Sequence, residues 1–268
     1  MILPAEIQRK ASSAGVRDQQ IEKDYVLSWI LNGIAHHHPL SHSLVFKGGT
    51  VLKKFYFRDY RFSEDLDFTL LTPDVSNATI FQQFQEVFEF VREEANIPLE
   101  IIDNNEHEDG GINFYIGYIG PLGGLSRNKK IKVDISKTEL MVYQPVVRTC
   151  FKEYSDQDLF DLHCYTLEEI MVEKMRSVMQ RMQARDYYDI WYLLEEHGID
   201  VAFIAREFSD KCHHKGLDPA TFFIKLQQRI PQYKARWKSS LQEQIKDLPD
   251  FELVDREVQR KLKKMKQK

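Results

Sequence analysis

Two groups of residues in this chain have the types and spacing to do chemistry together. Phe46-Lys47-Gly48-Gly49-Thr50 sets a Gly-Gly turn at the end of an apolar run, and Arg61-Phe62-Ser63-Glu64-Asp65-Leu66-Asp67-Phe68 sets an acid-x-acid pair inside a second one. On a β-strand successive side chains alternate faces, so Asp65 and Asp67 emerge on one side while Leu66 and Phe68 point to the other. Two ionised carboxylates side by side repel, and a hard divalent cation such as Mg²⁺ or Mn²⁺ relieves that repulsion. A strand that turns through Gly48 and Gly49 into a helix at Thr50 offers backbone N–H groups to phosphate oxygens. A phosphate cradle beside metal-binding carboxylates points to phosphoryl or nucleotidyl transfer.

The elements that must position these residues follow from periodicity. Residues 44–47 read as a short buried strand, residues 50–57 as a helix and residues 61–71 as a second strand, on which Ser63 shares the Asp65 face. Residues 77–95 repeat apolar side chains with helical period. Residues 99–103 and 112–119 read as strands joined through an acidic, glycine-rich turn. Residues 129–136 alternate, placing Lys130, Lys132 and Asp134 on one face and Ile131, Val133 and Ile135 on the other. Asp134 becomes a third carboxylate of the site if its strand neighbours that of Asp65 and Asp67; taken alone, a strand Asp is more often simply exposed. The lysines beside it suit phosphates of a nucleotide or of a nucleic-acid backbone.

Ahead of the first strand, residues 18–35 read as a helix with one buried face, on which Glu22-Lys23-Asp24 is expected to face solvent. His36-His37-His38-Pro39 reads as a solvated connector. The second half is helical. Thr166-Leu167-Glu168-Glu169 fits a capping box, with Glu169 returning to the Thr166 N–H. The run from residue 167 to residue 196 is one helix or two, with any break near residues 180–183. As one helix it would align Lys174, Val178, Arg181, Arg185 and Asp189, either as a solvated face with an Arg185–Asp189 pair or as a functional one. Helical runs between residues 201 and 230 are expected to end at Pro231, and a basic amphipathic tail follows, with Phe251, Val254, Val258, Leu262 and Met265 on one stripe. That tail docks on the body, touches RNA or meets a partner.

Composition narrows the class. With 268 residues, 43% of them hydrophobic, the chain has ample core. A net charge of -4 excludes a protein coated in positive charge and leaves room for local basic patches such as Lys129-Lys130-Lys132. Three cysteines without C-x-x-C spacing argue against a disulfide framework or a structural zinc site. No leader pattern and no membrane-length apolar run is visible, so a cytoplasmic location is expected.

Taken together, three blocks resemble the AbiEii/AbiGii-type toxin family of nucleotidyltransferases, the toxic partners of type IV-like toxin–antitoxin and abortive-infection systems. They are Glu22-Lys23-Asp24-Tyr25-Val26-Leu27, the Gly-Gly and acid-x-acid pair described above, and Glu169 to Lys174 followed by Arg185-Asp186-Tyr187-Tyr188-Asp189. The resemblance implies an α/β (α+β) fold: a polymerase-β-type core with a mixed sheet flanked by helices over residues 1–160, and a mainly helical domain over residues 161–268. It implies transfer of a nucleoside monophosphate from an NTP to an acceptor hydroxyl, with the 3′ end of tRNA as the leading acceptor and a cognate antitoxin as a partner. Asp65, Asp67 and Asp134 would hold the metal. Gly48, Gly49, Thr50, Ser63, Lys174 and Arg185 would bind the nucleotide, with Lys174 and Asp189 acting near the reaction centre in a cleft between the domains. Nucleotidylation of a protein or small molecule, and a degenerate binding module without activity, are the alternatives.

Overall fold

The computed structural model describes residues 1–124 and 129–267. The chain divides into two compact units, one formed by Met1–Glu139 with Pro145–Tyr165, the other by Leu140–Gln144 with Thr166–Lys268.

The first unit is a mixed α/β layer structure. Its strands are β1 (Leu44–Lys47), β2 (Asp65–Leu70), β3 (Leu99–Glu106), β4 (Ile112–Tyr118), β5 (Lys130–Ser136), β6 (Val146–Thr149) and β7 (Asp161–Cys164). They form a seven-stranded sheet in the order β3-β4-β5-β2-β1-β7-β6. β2 lies between an antiparallel neighbour, β1, and a parallel one, β5. Strand alternation does the sorting: on β5 Ile131, Val133 and Ile135 are buried while Lys130, Lys132 and Asp134 are half-buried on the other face. Phe46 and Phe68 pack at 5.1 Å, and Phe84 and Phe114 meet edge to face at 4.9 Å, which fixes the core side of the sheet.

The helices of this unit are α1 (Pro4–Ala14), α2 (Asp18–His36), α3 (His38–Ser43), α4 (Gly48–Val51) and α5 (Asn77–Ala95). α4 continues through a π-helical turn over Leu52–Tyr56, so the expected helix at residues 50–57 is present but underwound at its end. α2 packs against both α1 and α5. A β-carbon on Gly33 would come within 2.8 Å of Val87, so only glycine admits α5 at that distance. α2 is therefore buried nearly all round, which overturns the expectation of one buried face.

The same burial corrects the reading of Glu22 and Asp24 as solvent-facing, since both are inside the protein. Asp24 pairs with the wholly buried Lys54 at 2.5 Å and accepts the Tyr154 hydroxyl at 2.7 Å. Glu22 takes the Leu122 N–H at 2.8 Å and the Lys129 ammonium at 2.9 Å. Each charge brings its own counter-charge from a distant segment, which a helical periodicity cannot reveal. The histidine run is likewise more ordered than a connector: His36 closes α2, His37 caps α3 and pairs with Glu86, and His38 opens α3.

The second unit is helical: α6 (Leu167–Gln180), α7 (Ala184–Glu195), α8 (Ala205–His214), α9 (Phe222–Leu241) and α10 (Phe251–Leu262). α6 and α7 are separate helices, broken by extended backbone at Arg181 and Gln183. No glycine or proline causes the break; Arg181 leaves the helix to donate to Asp186 at 2.7 Å, and Arg229 donates to the freed Val178 carbonyl. Thr166 caps α6 by accepting from the Glu169 N–H at 3.1 Å, a contact worth about 1 kcal/mol. The return half of the capping box is absent. Glu169 turns away to accept the Val142 and Tyr143 N–H groups and to pair with the buried Lys211 at 2.6 Å.

Pro231 does not end a helix. It sits on the exposed side of α9, whose buried stripe of Phe222, Leu226, Tyr233, Trp237 and Leu241 runs past it. α10 docks on α7 through Val254 and Val258, with the Tyr187 hydroxyl donating to Asp255 and the Trp191 indole to Glu257, both at 2.7 Å.

Candidate active site

The site is assembled where three strands of the first unit lie side by side. In the β2–β5 register Asp65 stands across from Lys132 and Asp67 across from Asp134. In the β1–β2 register Lys47 stands across from Asp67. Residues aligned on adjacent strands share a face, so Lys47, Asp67 and Asp134 form one row and Asp65 and Lys132 the next. The sequence left open whether Asp134 neighbours the acid-x-acid pair, and the parallel pairing of β2 with β5 makes it do so.

The strand-to-helix turn presses against this row. β1 ends at Lys47 and α4 begins at Gly48, whose φ of 83° is left-handed. A β-carbon at Gly48 would lie 2.3 Å from the Asp67 carboxylate, and one at Gly49 would lie 2.5 Å from the Arg61 guanidinium and 3.2 Å from the Ser63 hydroxyl. Gly48 is thus required for conformation as well as for contact, and Gly49 for contact with the buried Arg61. Thr50, fully buried, donates its hydroxyl to the Asp65 carbonyl at 2.5 Å and so ties the helix start to β2. Ser63 lies on irregular chain before β2 rather than on the strand, because β2 starts only at Asp65. Its hydroxyl nonetheless reaches Gly49.

Two residues gain weight that their sequence context did not give them. Arg61 is 3% exposed, yet its guanidinium lies over Gly49. Lys132 pairs with Asp134 at 3.2 Å. Burial alone would pull its ammonium down, but Asp134, Asp67 and Asp65 outweigh that and hold it above the ordinary lysine value. The signal for Lys132 was its alternation with Asp134; the signal for Arg61 was only its place beside Ser63.

The donor chemistry of Asp65 and Asp67, half-buried carboxylates on one face, fits a hard divalent cation. Asp134 stands beside Asp67 in the strand register and accepts the Lys132 ammonium at 3.2 Å; among the described residues no three acidic, histidine or cysteine side chains are drawn together as a metal cage.

Lys174, Arg185 and Asp189 belong to the second unit. Lys174 is buried between Asp186 at 2.7 Å and Asp189 at 2.8 Å. Asp186 also receives Arg181; burial would raise its pKa, but Lys174 and Arg181 prevail and hold it below the ordinary carboxylate value. Lys174 and Asp189 therefore meet across two helices rather than along one, and the partner of Asp189 is Lys174 in place of Arg185. Arg185 is half-buried and has no ion-pair partner among the described residues.

Over 94% of its length the chain is similar to the JHP933 protein of Helicobacter pylori, covering 95% of that chain, at 17% identity and a TM-score of 0.58. It covers 99% of its length, and 99% of the other chain, on MenT4, a nucleotidyltransferase toxin of Mycobacterium tuberculosis, at 17% identity and a TM-score of 0.51. At that identity the likeness establishes the fold. No curated protein matches the sequence. The family model described as nucleotidyl transferase AbiEii toxin of the type IV toxin–antitoxin system matches residues 29–264, most of the chain. The chain belongs to the AbiEii family of nucleotidyltransferase toxins.

Proposed function

We propose that the protein transfers a nucleoside monophosphate from an NTP to the 3′ hydroxyl of an RNA, with tRNA as the favoured acceptor, and that this activity arrests growth unless a cognate antitoxin counters it. The observation that carries the reading is the placing of Asp65 and Asp67 on one face, directly beside the Gly48–Gly49 turn. Asp65 and Asp67 hold Mg²⁺ or Mn²⁺. When bound, the ion neutralises the triphosphate and stabilises the attacking and leaving oxygens. Gly48 and Gly49 present backbone N–H groups to phosphate oxygens, and Ser63 and Arg61 stand over Gly49 to receive them. The acceptor oxygen bonds to the α-phosphorus as the bond to the β-phosphate bridge breaks and pyrophosphate leaves.

Lys174, Asp189 and Arg185 belong to the same proposal through the family resemblance, with Arg185 available to phosphate. Lys130 and Lys132, on one face of β5, suit an RNA backbone, and this favours RNA over protein as the acceptor. No described helix is long and apolar enough to cross a membrane.

The test is incubation of the purified chain with each α-labelled NTP and either total tRNA or a protein extract. Label on tRNA, dependent on Mg²⁺ or Mn²⁺, is expected; label entering only protein would overturn the RNA assignment.

A further inference from the structure

We propose that one face of α9 receives the phosphate backbone of an RNA, with Arg229 and Arg236 as its two fixed contacts. This rests on the RNA reading given above and adds the surface of the second unit that holds the RNA.

The charge of this helix is one-sided. Over Phe222–Leu241 it carries Lys225, Arg229, Lys234, Arg236 and Lys238 and neither Asp nor Glu. Lys234 is paired with Glu252. Lys225, Arg229 and Arg236 are spaced by whole turns of the helix, so they stand in one row along it.

The two arginines are also held in place. Arg229 donates through Nη1 to the Val178 carbonyl and, at 3.5 Å, to that of Arg181, and Arg236 donates through Nη1 to the Met182 carbonyl at 3.2 Å. These carbonyls lie at the break between α6 and α7, so both guanidinium groups are drawn to one short stretch of chain. Capping the end of α6 in this way uses only some of their N–H groups. Neither arginine has an acidic partner among the described residues, so each keeps its charge and further donors for a ligand. A side chain already pinned loses less freedom when a phosphate binds it.

The surroundings favour nucleic acid over protein. Arginine forks match phosphate oxygens. Gln228 and Gln232 are exposed on the face between the cations, and the exposed Ile224 lies to one side of the row. A protein interface centres on large apolar or aromatic anchors, which two glutamines do not supply.

The experiment is binding of 5′-labelled total tRNA to the full-length protein, followed by fluorescence anisotropy over about 50–200 mM KCl. Affinity for a phosphate backbone falls with salt in proportion to the phosphates neutralised, by about 0.7–0.9 in log–log slope for each. R229Q/R236Q should therefore make the slope shallower by about 1.4–1.8 and raise the KM for tRNA at least about ten-fold. R229K/R236K keeps both charges and should retain most of the wild-type slope. A slope in R229Q/R236Q equal to that of the wild type would overturn the inference and leave the row to the carboxylates of a protein partner, with the RNA reading intact. An equal loss of slope in R229K/R236K would trace the effect to the fold of the helix and overturn the inference as well. A wild type that binds no tRNA and labels only protein would instead remove the RNA reading on which the inference stands.

Discussion

The backbone of Gly48 and the carboxylate of Asp67 are in such close approach that a β-carbon on the glycine would lie 2.3 Å from Asp67 Oδ2. The left-handed φ of 83° at the same residue makes the requirement double. Gly48→Ala should therefore act on the site more than on the fold. Backbone strain costs about 1–2 kcal/mol, whereas displacement of Asp67 should lower nucleotidyl transfer by about 100-fold, the scale expected for a misplaced catalytic group. Thermal melting and transfer assays on the same variant separate the two effects.

Arg61 is buried against Gly49, and its guanidinium shares that position with the Ser63 hydroxyl. If it receives a phosphate there, Arg61→Lys should raise the KM for NTP by about ten-fold, since a lysine cannot reproduce a forked contact. Initial-rate kinetics over a range of NTP concentrations will show it. An unchanged KM would assign Arg61 to holding the loop.

Acid should unfold the first unit through a defined group. Burial pushes the Glu153 carboxyl up, but Lys54 and Lys53 outweigh burial and hold it at about 2, against an ordinary value of 4.5. A carboxylate with a depressed native pKa contributes stability that is complete above the unfolded value and is lost as pH falls towards the folded one. The contribution, ~3 kcal/mol by linkage, should fade from about pH 4.5 down to about 2. In the second unit Asp186 is depressed as well and contributes there with the same sign. Urea midpoints measured at falling pH should drop over this window, and Glu153→Gln should flatten the drop while lowering stability at neutral pH.

Lys174 holds together two buried carboxylates, Asp186 and Asp189. Lys174→Met leaves both in the interior with only Arg181 to compensate Asp186, and removal of one partner from a buried ion cluster costs about 3–5 kcal/mol. Asp189→Asn in the same background should recover part of that loss, because it removes one of the two buried carboxylate charges that faced Lys174. Denaturant unfolding of the single and double variants measures the coupling.

Much of this architecture could be read from periodicity. α5 occupies the expected residues, β1 and β5 follow their alternation, and the Gly48–Gly49 turn lies beside Asp67. What could not be read depended on partners distant in sequence. Glu22 and Asp24 look like solvated helix charges until Lys129 and Lys54 are known to meet them. Glu169 forgoes its local capping bond because Lys211 and two backbone N–H groups from residues 142 and 143 offer it more. The break after Gln180 is produced by Arg181 and Arg229 rather than by any helix-breaking residue, and Pro231 is tolerated because it faces solvent. For Asp134 the strand was legible and the register was not, and register alone decides whether a third carboxylate stands beside Asp67 or elsewhere.

The central claim, that Asp65 and Asp67 carry a metal-dependent nucleotidyl transfer, is tested most directly by following α-labelled NTP into tRNA with the wild type, D65N and D67N, with and without Mg²⁺. The wild type should label tRNA only when the ion is present, and each variant should lose at least about 1,000-fold in rate while retaining the wild-type melting profile. Labelling that survives in D67N, or that proceeds equally well after chelation, would contradict the account.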